Sequence, residues 1–196
     1  MKANALIIIL TGVLTITGCG IFGTREPENP AGSSNIWPPA VTRRQVLDNI
    51  SLAFTAQDAV LYMKSFAQPD FADSVFKFIP DYTSPSYDST IFAAWGYSAE
   101  QQFILTIFAP NFLPADSLCS IEFLAENEPP GEDNPQYREH YTIELHHTDS
   151  GLPQHFSGRA DLRFSRNQSG YWVIIEWIDE NSGGVTLTEL KSAVSN

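Results

Sequence analysis

The sequence predicts an α+β domain: helices packed on one face of a curved antiparallel sheet of about four to six strands. Three observations carry this. Apolar residues recur at spacings of three and four through the first part of the chain and alternate singly through the second. Turn chemistry separates the alternating runs. Some 150 residues carry the pattern, which is one domain's length, and 12% aromatics can fill its core.

The elements follow in order. Thr42-Arg43-Arg44-Gln45 has capping-box form and opens a helix with Val46, Leu47, Ile50, Ala53 and Phe54 on one stripe. Asp58 caps a second helix carrying Leu61, Tyr62 and Phe66, which Pro69 stops. Ser74 to Ile79 reads as a strand ended by Pro80, and Asp81 to Asp88 as a loop. Ser98-Ala99-Glu100-Gln101 is a second capping box, with Phe103, Ile104, Ile107 and Phe108 inward behind it.

Four half-buried strands come next: Leu118 to Ala125, Tyr137 to Thr148, Phe156 to Ser165 and Tyr171 to Asp179. In the last, Val173, Ile175 and Trp177 share one face and Trp172, Ile174 and Glu176 the other. Leu187, Leu190 and Val194 predict a short closing helix or strand.

Ahead of this domain lies a different chemistry. Lys2 precedes an apolar stretch, Ala5 to Leu10 extended by Val13, Leu14 and Ile16, which is the pattern of a secretory signal. Thr11, Gly12, Thr15, Thr17 and Gly18 break the run short of the roughly 20 apolar residues a membrane span needs. Ile16-Thr17-Gly18-Cys19 resembles a bacterial lipobox. That resemblance implies cleavage before Cys19 and lipid on its sulfur, so the chain is anchored to a bilayer without crossing it. Gly20, not Asp, follows the cysteine, which by the sorting rule this resembles implies the outer membrane. Residues 20–39 are rich in Gly, Pro, Asn, Ser and Glu and read as a flexible spacer. The expected divisions are 1–18 signal peptide, 19–39 lipidated N-terminus and spacer, and 40–196 a single α+β domain.

A formal charge of −12, with no basic run, excludes a nucleic-acid partner. Of the two cysteines, Cys119 has no partner once Cys19 is acylated. It alternates with Ile121 and Phe123 and reads as a buried apolar thiol.

Candidate chemistry is sparse. His146 and His147 are adjacent and point to opposite faces of a strand. His140 lies about 20 Å along the strand from His146. His147, His155 and Asp149 could meet across a hairpin, yet no HxH or HExxH spacing supports a metal, and none is expected. The acidic stretches Glu126 to Asp133 and Asp179-Glu180-Asn181 lack calcium-loop spacing and read as solvated loops. No GxSxG, SxxK or phosphate-binding glycine loop occurs, and no cofactor is expected.

Several segments together resemble uncharacterised bacterial lipoproteins of the nuclear transport factor 2-like (cystatin-like) superfamily. They are Thr42 to Phe66, Phe76-Lys77-Phe78-Ile79-Pro80-Asp81, Trp95 before a helix, and Gly170 to Asp179. The likeness spans roughly residues 41 to 193 and departs at Val185 to Glu189, ahead of Leu190-Lys191. It implies a cone-like fold with a pocket between sheet and helices, lined here by Tyr62, Trp95, Tyr141 and Trp177. Relatives such as ketosteroid isomerases use a carboxylate in that pocket. Asp161 and Glu144 are the nearest ones here, and alternation puts both on polar faces.

The expected function is therefore an envelope lipoprotein whose domain binds a small apolar ligand or another envelope protein without catalysis. The alternatives are a pocket enzyme of isomerase or dehydratase type and an envelope assembly protein.

Overall fold

Thr42 turns the chain into its first helix, α1 (Arg43–Ala56), by accepting the Gln45 N–H on its hydroxyl at 3.2 Å. This is a computed structural model; it describes residues 37–70, 74–125 and 136–195. The signal segment, Cys19, most of the spacer, and the acidic stretch Glu126 to Asp133 lie outside the described residues. Among the described residues no helix is long and apolar enough to cross a membrane.

Val46, Leu47, Ile50, Ala53 and Phe54 are all buried along one side of α1. The helix closes at Gln57, whose left-handed backbone (φ 50°) lets its N–H reach Phe54 O at 3.0 Å. Asp58 caps α2 (Ala59–Met63) through the Leu61 N–H at 3.0 Å. This helix is shorter than its apolar spacing predicts. Phe66 leaves it to bridge Ile174, and the Ala67 N–H donates to Ile174 O at 2.9 Å. Ladder bonds to the sheet have displaced the last helical turn.

β1 (Lys77–Ile79) is only the end of the predicted strand. Asp81 to Asp88 is a loop as predicted, and a short helix α3 (Ser89–Phe92), capped by Asp88, follows it. α4 (Tyr97–Ile107) begins at Gly96, which makes no side-chain cap. The Ser98 capping box is therefore corrected: Ser98 is inside the helix, and Glu100 turns into the core.

The sheet consists of β1, β2 (Cys119–Ala125), β3 (Gln136–Leu145), β4 (His155–Arg166) and β5 (Trp172–Glu180), in the order β1-β5-β4-β3-β2. Four strands form the expected antiparallel meander. The fifth corrects the all-antiparallel expectation: β1 runs parallel to β5, with Phe78 beside Trp177. No hairpin joins them, so the intervening helices and strands form a crossover that allows parallel pairing.

One face of the sheet is concave and apolar, packed under α1, α4 and the closing helix α5 (Leu187–Val194). Cys119, Ile121, Phe123, Ile143, Phe156, Leu162 and Trp177 all point into it. β5 does not alternate as predicted. Phe164 pairs with Ile174 and Arg163 with Glu176, so Ile175 is an extra residue with no partner on β4. That bulge flips parity and puts Ile174 and Trp177 both inward. The convex face carries cross-strand ion pairs: Arg138 holds Asp161 at 2.5 and 2.7 Å, Arg163 reaches Glu176 at 3.4 Å, and Arg159 meets Glu180.

Candidate functional site

Two buried polar clusters sit under α5, and both follow from helical or strand periodicity. On α4 the inward stripe runs 100, 103, 104, 107, so Glu100 shares it with Phe103, Ile104 and Ile107. On α5 the stripe 187, 190, 191, 194 puts Lys191 inward beside Leu187 and Leu190. The two charges meet. Lys191 Nζ donates to Glu100 Oε2, with 0% and 1% of each residue exposed. Tyr62 donates its hydroxyl to Glu100 Oε1 at 2.6 Å, and the Trp95 indole N–H donates to Oε2 at 2.7 Å.

Rings enclose the ammonium, whose Nζ lies 3.8 Å from the Phe78 centroid, 4.8 Å from Trp95 and 4.9 Å from Phe103. Burial lowers the Lys191 pKa, an effect the Glu100 charge opposes. Burial, then the Glu100 charge, raises the Tyr62 hydroxyl well above the ordinary tyrosine value.

The second cluster centres on Asp179. Tyr141 on β3 lies against Gly158 on β4, where a Cβ would press into the tyrosine hydroxyl. The ring thereby reaches across β4 and donates to Asp179 Oδ1 at 2.6 Å. Thr188 supplies both its N–H (2.8 Å) and its hydroxyl (2.6 Å) to Oδ2. The Leu187 N–H donates to the Tyr141 oxygen at 2.7 Å. The Leu187 and Thr188 N–H groups of the first turn of α5 are thus satisfied by the sheet, and Glu189 accepts the Thr186 N–H at 2.6 Å. Burial raises the Asp179 pKa despite these hydrogen bonds, and it raises Tyr141 well above the usual tyrosine value.

A third inward carboxylate is less well served. Glu139 lies opposite Ala160 on β4, 0% exposed, and its Oε1 has no partner among the described residues. Arg44 approaches Oε2 at 3.5 Å. Burial raises the Glu139 pKa, with the Arg44 charge and a Tyr137 hydrogen bond working against it. The Trp177 Nε1 is likewise buried without a partner.

The four residues the resemblance placed at a pocket are thus distributed between these clusters. Tyr62 and Trp95 converge on Glu100. Tyr141 and Trp177 meet edge to face at 6.0 Å. Trp95 also borders a surface cleft of 460 Å³ with Phe103 and Val194, whereas Tyr62, Tyr141 and Trp177 are at most 2% exposed. Asp161 is held by Arg138 on the convex face, and Glu144 lies 3.2 Å from His146 there. The carboxylates beside the tyrosines are instead Glu100 and Asp179, so the reading of Asp179 as a loop residue is corrected.

His155 turns to Glu144 Oε1, which it shares with His146, and not to His147. His147 is buried against Phe112 with its Nε2 2.9 Å from Pro153 O, while 70% of the His155 side chain is exposed. Among the described residues no group of three His, Cys, Asp or Glu side chains could hold a metal. Cys119 is a buried free thiol whose pKa burial pushes up to about 12.

No family model and no curated protein matches the chain. Solved structures do resemble it. A nuclear transport factor 2-like protein of unknown function from Shewanella oneidensis is 16% identical (TM-score 0.47), covering 69% of this chain and 93% of its own. A nuclear transport factor 2-like superfamily protein from Salmonella enterica is 14% identical (TM-score 0.45), covering 74% and 92%. ActVI-ORFA from Streptomyces coelicolor is 11% identical (TM-score 0.48), covering 71% and 93%. The fold is α+β, a five-stranded mixed sheet with its helices. In it α5 packs against β4 and α4, and its Leu187, Thr188, Leu190, Lys191 and Ser192 are all buried.

Proposed function

We propose that this chain is an envelope lipoprotein, cut before Cys19 and held on the outer membrane by lipid on that cysteine. Its domain binds a small molecule or another envelope protein without turning it over. The motif Ile16-Thr17-Gly18-Cys19 supports the anchor. One observation supports binding over catalysis. Glu100, Lys191 and Asp179 are each at most 1% exposed, and each is satisfied by neighbours on the protein itself. An acid or base must come within hydrogen-bond reach of its substrate, and these three have no free approach.

Growth with labelled palmitate tests the anchor. The wild-type chain takes up label and partitions with membranes, and Cys19→Ser does neither. A wild-type chain that stays in water, unlabelled and starting at another residue, sinks the placement.

A second reading, a pocket enzyme of isomerase or dehydratase type, rests on Glu139. Its unpaired Oε1 and raised pKa suit a carboxyl that passes a proton back and forth, but at 0% exposed it meets a substrate only after the segments over it part. Screening carbonyl and hydroxy-acyl compounds for turnover that Glu139→Gln abolishes would establish it. Turnover that survives that change removes it.

A further inference from the structure

A different part of the molecule combines an open cavity, aromatic walls and buried polar atoms that nothing satisfies. It lies on the far side of β5 from β4. There the lead-in at residues 37–40, α1, the link after α2 and the turn before β5 come together. The Trp172 N–H holds Ala40 O at 2.9 Å, and the Ile174 N–H holds Ser65 O at 2.8 Å. Between these two attachments a cavity of 270 Å³ opens, walled by the rings of Trp37, Tyr171 and Trp172. A second cavity of 260 Å³ shares Lys64, Gln68, Asn167 and Val173 with it, so the two are lobes of one cleft.

Two polar residues of the first lobe are nearly inaccessible. Asn49 is 1% and Ser65 3% exposed. Asn49 donates its amide to Pro38 O at 2.9 Å, but among the described residues its Oδ1 has no partner, nor does Ser65 Oγ. Buried polar atoms are normally satisfied, and exceptions need a reason. Here both residues border a space of ligand size, walled by apolar and aromatic side chains with a few polar groups, and a turn of either side chain would bring its closed-off oxygen to that space.

The charge at the cleft runs against that of the molecule. The chain carries −12. Yet Lys64 borders both lobes and makes no ion pair among the described residues, and the Arg43 and Arg166 guanidiniums lie 4.9 and 4.5 Å from the Trp172 ring centroid. Asp70 is the acid at the cleft, and it borders only the second lobe.

We infer that this cleft binds a small planar carboxylate carrying a hydroxyl or amide hydrogen. The ring packs against Trp37, Tyr171 and the edge of Trp172, whose face the two guanidiniums cover, the carboxylate meets Lys64, and the donor reaches Ser65 Oγ or Asn49 Oδ1. The site is separate from the buried clusters under α5. It gives the binding reading a place and a ligand class and rests on that reading, but it is scored on different residues. Acylation is read at Cys19 and turnover at Glu139.

The test is calorimetric titration of the full chain, reconstituted in lipid nanodiscs with empty nanodiscs as blank. The probes are 4-hydroxybenzoate, its neutral amide and benzoate. Saturable one-to-one binding of 4-hydroxybenzoate is expected, weakened about tenfold when the charge is lost either by Lys64→Gln or by using the amide. Ser65→Ala should weaken 4-hydroxybenzoate but not benzoate. That pattern separates a lost hydrogen bond from a damaged fold. Arg138→Gln, on β3 two strands from β5, should change nothing. Absence of saturable binding at millimolar probe overturns the inference, as does equal affinity for all three probes or for the Lys64→Gln chain.

Discussion

Asp179 and Glu139 occupy the same row of the concave face, β5 and β3 flanking Ala160 on β4, yet their surroundings differ. Asp179 receives Tyr141 from the sheet and two donors from Thr188 at the start of α5. Glu139 lies beyond the reach of that helix and has one carboxylate oxygen unpaired. The difference lies in the donors each site receives. A strand brings a carboxylate indoors by parity alone, but only a second element arriving end-on can satisfy it.

Breaking the donor side should cost most. Lys191→Ala leaves Glu100 buried without its cation, and about 3–5 kcal/mol of stability should be lost in urea unfolding. The pair Glu100→Gln with Lys191→Met should regain most of that. A double variant as unstable as Lys191→Ala would show that packing of α5, and not the charge, is what the lysine supplies.

Next in size is the carboxylate comparison itself. Asp179→Ala strands the Tyr141 hydroxyl and the Thr188 N–H and should cost about 2–4 kcal/mol. Glu139→Gln removes a charge that only a half-exposed Arg44 opposes, and it should change stability by less than about 1 kcal/mol. Equal losses at both positions would erase the distinction.

The tyrosines sharpen the comparison through pH. Tyr62 and Tyr141 have pKa values raised on folding, so the folded chain holds protons that the unfolded chain releases. Their contribution is complete below the ordinary tyrosine pKa and is lost as pH rises towards the folded values. Lys191, lowered on folding, acts oppositely in the window between its folded value and the ordinary lysine value. Above about pH 10.5 the lysine is neutral in both states, and stability should fall by about 1.4 kcal/mol per pH unit for each tyrosine. Urea midpoints measured from pH 8 to 11 should show this decline, and it should be shallower in Tyr62→Phe.

The smallest effect concerns a concave-face group that needs no donors. With its pKa near 12, the buried Cys119 thiol should stay unmodified by a disulfide reagent at pH 8 while the chain is folded, and react once urea exposes it. Rapid reaction in the folded chain would mean that the face is open.

Much of this was present in the residue pattern. The caps at Thr42 and Asp58, the apolar stripe of α1 and the four strands of the meander are local matters of spacing and turn chemistry, and they stand in the structure where the sequence predicts them. Glu100, Glu139 and Lys191 were legible too. Each falls on the inward position of its own stripe or alternation, and only the habit of reading charged residues as surface residues hid them. Asp179 shares Trp177's parity and was hidden the same way.

Other features were settled only when distant segments met. Parallel pairing of β1 with β5 depends on a crossover, and the bulge at Ile175 depends on how β5 fits β4. The shortening of α2 depends on Phe66 finding Ile174. Periodicity states which side of an element faces inward, because that is a property of one backbone. It is silent on what stands opposite, because a hydrogen bond or an ion pair requires two segments, and Lys191 finds Glu100 across ninety-one residues of chain.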